Sequence, residues 1–146
     1  MIVLSAYQAE KILAALNQGK PNLKVSLDLG ITINKVEFKN KNIILTHETH
    51  KSVETETITL DDLKKIIKNN TVCFLIKNNA IHKIQLFSME TNTFLKLFPT
   101  GENTATTIEL SGIRMHNIKQ QDAITDAKNK INAINVHGRV LDTCFG

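Results

Sequence analysis

A repeated alternation of apolar and polar residues, with short gaps between the repeats, constrains the fold of this chain most. Residues 23–29 (LKVSLDL) alternate leucine and valine with polar side chains, as a half-buried strand does. Similar patterns predict strands at 31–38 (with a bulge or bend), 43–47, 52–58, 72–77, 81–87 and 93–98. The gaps between the last three strands are too short for parallel crossovers, so an antiparallel meander is expected there.

Two helices are predicted beside these strands. Their starts are marked by the capping-box patterns Ser5-x-x-Gln8 and Thr59-x-x-Asp62. The apolar spacing that follows predicts helices over about 6–17 and 60–68. Asn78 and Asn79 supply a tight turn between two of the strands. Residues 1–103 are therefore predicted to form one N-terminal domain of the α+β class, a helix plus an antiparallel β-meander.

The character of the chain changes after this sheet. A strand at 105–110, a polar loop from Ser111 to His116 and a helix beginning at Asp122 are predicted. Arg139–Asp142 then has the pattern of an apolar strand that ends in an acid. Because this order is typical of the opening of an α/β unit, 104–146 is predicted as a linker and the incomplete start of a Rossmann-like domain.

The end of this predicted strand has the spacing of a cofactor loop. In a doubly wound sheet, the first strand-to-helix turn brings backbone amides to the cofactor, and glycine permits that close approach. Asp142 stands where an acid closes such a strand, and Gly146 stands where the glycine loop would begin. An ordinary terminal strand can show the same Asp-x-x-x-Gly spacing, so this segment alone leaves both interpretations open.

The neighbouring residues favour the cofactor loop. The run Thr107–His116 (TIELSGIRMH), a helix and then His137–Gly146 (HGRVLDTCFG) resemble a family of predicted archaeal class I S-adenosylmethionine-dependent methyltransferases, sometimes labelled spermine-synthase-like. The resemblance covers essentially the whole chain and is most specific from Glu109 to Gly146. Phe145 departs from the family pattern, which has a small residue or threonine there. The resemblance implies an N-terminal α+β domain followed by a Rossmann-like methyltransferase domain.

The same resemblance implies S-adenosylmethionine as cofactor, contacted at Asp142, Cys144 and Gly146. This motif is incomplete, since the rest of the loop, the next helix and the acid for the ribose would follow Gly146. The chain alone is therefore expected neither to bind the cofactor well nor to transfer a methyl group. Its expected partner is a C-terminal methyltransferase domain, and a truncated gene model, a split-gene half and an excised domain all remain open. In the full enzyme this domain would supply substrate recognition or a dimer surface, with RNA or a small molecule as methyl acceptor.

Arg114, Met115 and His116 are the substrate-binding candidates. A guanidinium and an imidazole on a loop before the cofactor domain could line the substrate entrance or contact the cofactor's carboxylate. The alternative is a structural crossover, with Met115 filling the interface between the domains. The chain has no Ser-His-Asp order or Cys-His pair, so no catalytic residue is assigned.

No metal site is predicted. His47-Glu48-Thr49-His50 is not HExxH and falls at a strand end, so an exposed histidine pair is expected there. Cys73 and Cys144 are expected to be reduced structural thiols. The longest apolar runs are far shorter than the roughly 20 residues of a membrane span, and no secretory signal is visible. These observations predict a cytoplasmic protein without a membrane segment.

Two other functions compete with the methyltransferase. A stand-alone β-rich module for RNA or a protein partner agrees with the net charge of +4, but acidic residues are interleaved with the lysines. An aminopropyl transferase, as the spermine-synthase label suggests, would need an acidic cluster for its polyamine, and the sequence shows no such cluster.

Overall fold

The chain folds into helices and antiparallel sheets, as the computed structural model shows for residues 1–40, 42–134 and 137–139. The described helices are α1 (Ala6–Asn17), α2 (Leu60–Lys68) and α3 (Ala123–Ala133). The described strands are β1 (Ile2–Leu4), β2 (Asn22–Val25), β3 (Asn34–Lys39), β4 (Asn42–Glu48), β5 (Val53–Thr59), β6 (Phe74–Lys77), β7 (Ala80–Lys83), β8 (Gln85–Ser88), β9 (Thr93–Phe98), β10 (Thr107–Leu110) and β11 (Ile113–Arg114). The predicted α+β class is confirmed.

The strands form three sheets. The first has the order β1-β6-β7, the second β2-β3-β4-β5 and the third β11-β10-β9-β8, with every neighbouring pair antiparallel. The first and third sheets meet at Leu97, whose N–H donates to the carbonyl of Ile84 (3.0 Å) and whose carbonyl accepts from Cys73 (2.9 Å). This junction ties the third sheet to the body of the domain.

Both predicted early helices are confirmed, and their caps explain where they begin. At α1, the Ser5 N–H donates to Gln8 Oε1 (3.1 Å). At α2, the Asp62 N–H donates to Thr59 Oγ1 (3.1 Å). These bonds satisfy backbone groups that the first turn of a helix leaves without an intrahelical partner.

One hydrophobic core lies between α1, α2 and the first two sheets. Its fully buried large side chains are Ile2, Leu4, Ile12, Leu27, Val36, Ile43, Leu45, Ile58, Leu63, Ile66 and Ile76. Burying each such side chain contributes about 1.5–3 kcal/mol. The third sheet and α3 lie outside this core, and their buried apolar residues are Phe98 and Ala123.

The antiparallel pairings of the predicted three-strand meander are confirmed, but its strands do not lie in one sheet. The second predicted strand, 81–87, is divided at Ile84 into β7 and β8. β7 pairs with β6 in the first sheet, whereas β8 pairs with β9 in the third. The Ile84 N–H donates to the carbonyl of Cys73 (2.8 Å), which turns the chain from one sheet to the other. The tight turn at Asn78 and Asn79 is confirmed, with φ of 55° and 56°.

The first predicted strand is also too long. It was expected over 23–29, but β2 ends at Val25, and the residues that follow form a loop held by Asp28. Leu29 has a φ of 59°, a left-handed conformation outside the β region that strand residues occupy. Within this loop, Asp28 forms an isolated parallel bridge with Val3 of β1.

The later elements follow the predicted order through α3. Asp122 caps this helix by accepting a hydrogen bond from the Thr125 N–H (2.9 Å). The predicted loop from Ser111 to His116 contains the short strand β11. Because β10 pairs with β9, sheet hydrogen bonding continues across the predicted division at residue 103. The predicted Rossmann-like strand at 139–142 lies almost entirely outside the described residues.

Candidate functional site

The third sheet has a polar face that carries the predicted substrate-binding residues. Its register pairs Lys96 with Glu109 and Glu109 with Arg114. Phe98 pairs with Thr107 two residues farther along. Directly opposite residues, and alternate residues of one strand, project to the same side of a sheet. These five side chains therefore share one surface, which we call the polar face.

Glu109 is the centre of charge on the polar face. Its carboxylate is largely buried, and Oε1 lies 2.8 Å from Lys96 Nζ. Its other oxygen, Oε2, lies 3.4 Å from Arg114 Nε. A buried carboxylate requires such partners because an unpaired charge is costly to remove from water. Two cations thus share one anion, and the cluster keeps an excess of one positive charge.

Arg114 is held in a defined orientation. Its guanidinium carbon lies 4.0 Å from the centroid of the Phe98 ring, a cation–π arrangement. Its Nε faces Glu109, so that edge of the guanidinium is occupied. The opposite edge carries the two terminal nitrogens, and the side chain is 40% exposed. A carboxylate or phosphate could bind that edge at two points.

His116 stands beside a pocket between β10 and α3. Its Nδ1 is within hydrogen-bond distance (2.8 Å) of Thr107 Oγ1. The pocket has a volume of about 340 Å³. Its walls are formed by Leu97, Ala105, Thr106, Thr107, Ile108, His116, Ala123, Ile124 and Ala127. His116 is the ionisable group of this otherwise mainly apolar wall, the arrangement common in small-molecule sites.

Asp126 of α3 fixes the segment that follows His116. Its carboxylate accepts hydrogen bonds from the Asn117 N–H (3.2 Å) and from Gln121 Nε2 (2.8 Å), and it lies 2.6 Å from Lys130 Nζ. The hydrogen bond from Lys130 lowers the pKa of the Asp126 carboxyl below its ordinary value. Burial raises this pKa, but the Asn117 N–H and the interaction with His116 lower it further. The carboxylate is thus kept ionised and the loop is anchored to α3.

The structure brings the two substrate-binding candidates to one side of the sheet. Arg114 and His116 each contact one member of a β9–β10 register pair. Met115, between them, donates its N–H to the carbonyl of Ile108 (3.0 Å) and so continues the pairing with β10. The backbone of this segment is therefore a structural crossover, while its two flanking side chains are presented on the polar face side.

Other predicted features of the site fall elsewhere. The cofactor candidates Asp142, Cys144 and Gly146 lie outside the described residues, and their roles stay predictions. Within residues 1–40, 42–134 and 137–139, no three His, Cys, Asp or Glu side chains lie close enough together to hold a metal ion. Over the same described ranges, no helix combines the length and the apolarity that crossing a membrane demands.

Sequence reasoning missed Lys96, Phe98 and Glu109. All three lie in predicted strands, and an alternating pattern does not say which strands are neighbours. One signal was present, because Glu109 is an acid between Ile108 and Leu110 and a charge in a largely buried strand requires a partner. The identity of that partner depends on the register between strands.

The expected exposed pair at His47 and His50 is wrong for His47. Only His50 is exposed, and His47 is buried with Nε2 at 3.2 Å from Asp28 Oδ2. The Asp28 carboxylate also accepts from Ser26 Oγ (2.9 Å) and from Thr32 N (2.8 Å) and Oγ1 (2.6 Å). Because these contacts occupy its acceptor positions, the cluster is a structural anchor for the loop after β2.

Comparison with known proteins shows that the chain is similar to part of a longer archaeal protein. No protein-family model matches the chain. The uncharacterized protein MJ1233 of Methanocaldococcus jannaschii is 36% identical over 120 residues, which are 81% of this chain and 40% of MJ1233. The chain therefore spans less than half the length of this relative, and the larger part of MJ1233 has no counterpart in the match.

Proposed function

We propose that the chain is the front domain of an S-adenosylmethionine-dependent methyltransferase and that its polar face binds the methyl acceptor. The supporting observation is the position of Arg114 and His116, on one side of the third sheet directly before α3. The segments on either side of α3, from Glu109 and up to Gly146, are those that resemble the methyltransferase family. A site before a second domain suits a substrate, since ligands often bind at domain interfaces.

The length of the relative supports a polypeptide with two domains. The part of MJ1233 outside the match is longer than the 120 matched residues. Domains typically contain about 50–250 residues. That part therefore has room for the cofactor-binding domain that the proposal requires.

The charge of the polar face indicates which ligand it would take. S-adenosylmethionine would supply an electrophilic methyl group on a sulfonium cation, and its predicted contacts are Asp142, Cys144 and Gly146. The cluster at Arg114 carries excess positive charge, which suits an anionic acceptor and opposes a sulfonium. We therefore propose that Arg114 binds the methyl acceptor and that the cofactor binds at the loop from Asp142 to Gly146.

Each of the two candidate residues has a distinct role in this proposal. Arg114, oriented by Phe98 and Glu109, would hold a carboxylate or phosphate group of the acceptor. His116 would take the proton that the acceptor's nucleophilic atom loses on methylation. The main contribution of both side chains is positioning, because near-attack geometry supplies a large part of the rate in a two-substrate displacement.

The test uses a full-length polypeptide in which this chain replaces the matched segment of MJ1233. We expect this chimera to bind S-adenosylmethionine in calorimetry and to transfer a labelled methyl group to a component of archaeal cell extract. Arg114→Ala should lower transfer at least tenfold without changing cofactor binding. Lys24→Ala, which removes an exposed cation of the second sheet, should change neither property. Absence of cofactor binding by both the chimera and unmodified MJ1233 would overturn the proposal.

The alternatives predict different results. An RNA-binding module would show salt-dependent binding of the isolated chain to RNA. An aminopropyl transferase would need acidic groups for its polyamine, but Glu109 is already paired with Lys96 and Arg114. Aminopropyl transfer by the chimera would favour that function over methyl transfer. The isolated chain is expected to show no measurable binding of S-adenosylmethionine.

A further inference from the structure

The face of the third sheet opposite the polar face is apolar across all four strands. The register places Leu86, Leu95, Leu110 and Ile113 side by side from β8 to β11. We call these four residues the apolar row. Its two ends are the most accessible, with Leu86 57% and Ile113 75% exposed. In most antiparallel sheets the apolar face is covered and the polar face is solvated. Among residues 1–40, 42–134 and 137–139, nothing gives this row the expected cover.

The apolar row continues through a cleft toward α3. A cleft of about 390 Å³ is lined by Leu86 and Leu95 of the row together with Leu97 and Ile108. Its lining also includes the polar residues His82, Lys83, Gln85 and Lys96. Leu97 and Ile108 also line the pocket beside α3, where they meet Ile124. The two depressions therefore join the row to the helix in one surface.

The exposed side of α3 extends this surface. The sequence predicts one apolar stripe on the helix, but the helix buries Ala123 and leaves the larger residues open. Ile124, Ile131 and Ile134 are each at least half exposed. We call these three residues the α3 stripe. Isoleucines at this spacing lie on one side of a helix, as they do when that side packs against a partner.

We infer that the apolar row and the α3 stripe form the docking surface for the α/β domain of the longer polypeptide. The inference rests on the proposed function, which supplies that domain. Large exposed apolar patches mark interaction sites, and the charged residues Lys96, Glu109 and Arg114 of this sheet all lie on the opposite face. The larger part of MJ1233 lies outside the match and can provide the cover.

The same geometry explains how the site would be completed. Docking on the apolar row and the α3 stripe would leave the polar face open on the other side of the sheet. The pocket beside His116 lies at the border of the two surfaces, because Ile124 and Ile108 line it as well. A domain seated on α3 would therefore close this pocket while Arg114 stays accessible to an acceptor.

Hydrogen exchange measured by mass spectrometry tests the inference. The chimera of this chain with the unmatched part of MJ1233 is compared with the isolated chain. We expect amides of β8, β11 and α3 to exchange at least tenfold more slowly in the chimera, while those of β2 to β5 are unchanged. Ile113→Lys should abolish most of this protection. Ile31→Lys, a matched change at an isoleucine that is 83% exposed elsewhere, should leave it intact.

Three outcomes would overturn the inference. Equal exchange in the folded chimera and the isolated chain would show that the surface stays uncovered. Protection that rises with concentration in the isolated chain, together with a dimer mass in light scattering, would assign the surface to a second copy. If the chimera does not fold, hydrogen exchange is compared instead between full-length MJ1233 and MJ1233 shortened to its matched segment. Equal exchange in these two proteins would also reject docking. Calorimetry with S-adenosylmethionine separates this result from the methyltransferase proposal, because protection without cofactor binding would refute only the latter.

Discussion

Gln8 of α1 donates a hydrogen bond from Nε2 to the backbone carbonyl of Glu102 at 2.6 Å, although 94 positions separate the two residues. The other end of the same amide, Oε1, accepts from the N–H (3.1 Å) and the hydroxyl (2.5 Å) of Ser5. A second contact, between Lys11 Nζ and Glu102 Oε1 (2.5 Å), ties the same two segments at the surface. The buried side chain of Gln8 thus contributes to the N-terminal cap of α1 and also anchors the loop that connects β9 and β10.

Replacement of Gln8 by glutamate should separate these two roles. Gln8→Glu keeps an acceptor for Ser5 but replaces the donor to the Glu102 carbonyl with an oxygen. A buried acceptor that loses its partner costs about 1–3 kcal/mol. We expect the free energy of unfolding, from urea titrations at pH 7, to fall by at least that amount, because the glutamate also places a negative charge in a buried site. Glu10→Ala, an exposed change on the same helix, should alter it by no more than about 0.5 kcal/mol, and equal effects of the two changes would contradict the assignment.

The turn between β6 and β7 gives a second prediction. Asn78 and Asn79 both have positive φ, and their N–H groups donate to the two carboxylate oxygens of Glu56 (3.0 and 2.5 Å). Asn78→Ala should lower the free energy of unfolding by about 1–2 kcal/mol, because alanine is strained in the left-handed region. Asn78→Gly keeps the N–H bond without that strain and should lie within about 0.5 kcal/mol of the parent. Thermal and urea unfolding measure both, and an alanine variant as stable as the glycine variant would show that the turn is not left-handed.

The correct parts of the fold prediction came mostly from contacts between residues that are close together in the sequence. The caps at Ser5 and Thr59 lie within one helical turn of the residues they bind, so both helices follow from sequence alone. β1 was missed because three residues are too few to show a period, and its sheet partner β6 lies 70 to 74 positions away in the sequence. The predicted strand through Leu29 was wrong because Asp28 binds Thr32 and His47, contacts that alternation does not report.

The site was predictable only in part, for the same reason. Arg114 and His116 could be selected as polar residues on a connecting segment, since that requires only their position in the chain. Their orientation depends on Phe98 and Thr107, which pair with each other through the register of β9 and β10. The apolar row could not be predicted for the same reason. Its members come from four strands, and the pattern within each strand does not give the order of the strands in the sheet.

The thiol of Cys73 should not react with alkylating agents in the folded protein. Burial raises the pKa of its thiol to about 12, so only about one thiol in ten thousand is ionised at pH 8, and the thiolate is the reactive form. In a Cys144→Ser background, we expect negligible labelling by iodoacetamide in buffer and complete labelling in urea above the unfolding midpoint. The labelling rate should follow the unfolded fraction measured by circular dichroism. Rapid labelling in buffer would show that the junction between the first and third sheets opens.

The anchor at Asp28 should make stability depend on pH in the acid range. Burial raises the pKa of the Asp28 carboxyl, but hydrogen bonds from Thr32, Ser26 and His47 outweigh that effect and leave the pKa below its ordinary value. The unfolded chain, with a pKa of about 3.9 for aspartate, therefore takes up this proton more readily than the folded chain. The stability that Asp28 contributes is present above pH of about 4 and is lost as the pH falls through its folded pKa.

Replacement of Asp28 by asparagine tests this dependence. At pH 7, Asp28→Asn should lower the free energy of unfolding by about 1.5–3 kcal/mol, the range for hydrogen bonds to a charged group. The difference from the parent protein should shrink as the pH is lowered from 5 to 2, because the parent carboxyl becomes neutral as well. Urea titrations at each pH measure both curves, and Asp61→Asn, at an exposed position, controls for the loss of one negative charge. A difference that stays constant down to pH 2 would mean that Asp28 stabilises the loop after β2 through its shape rather than its charge.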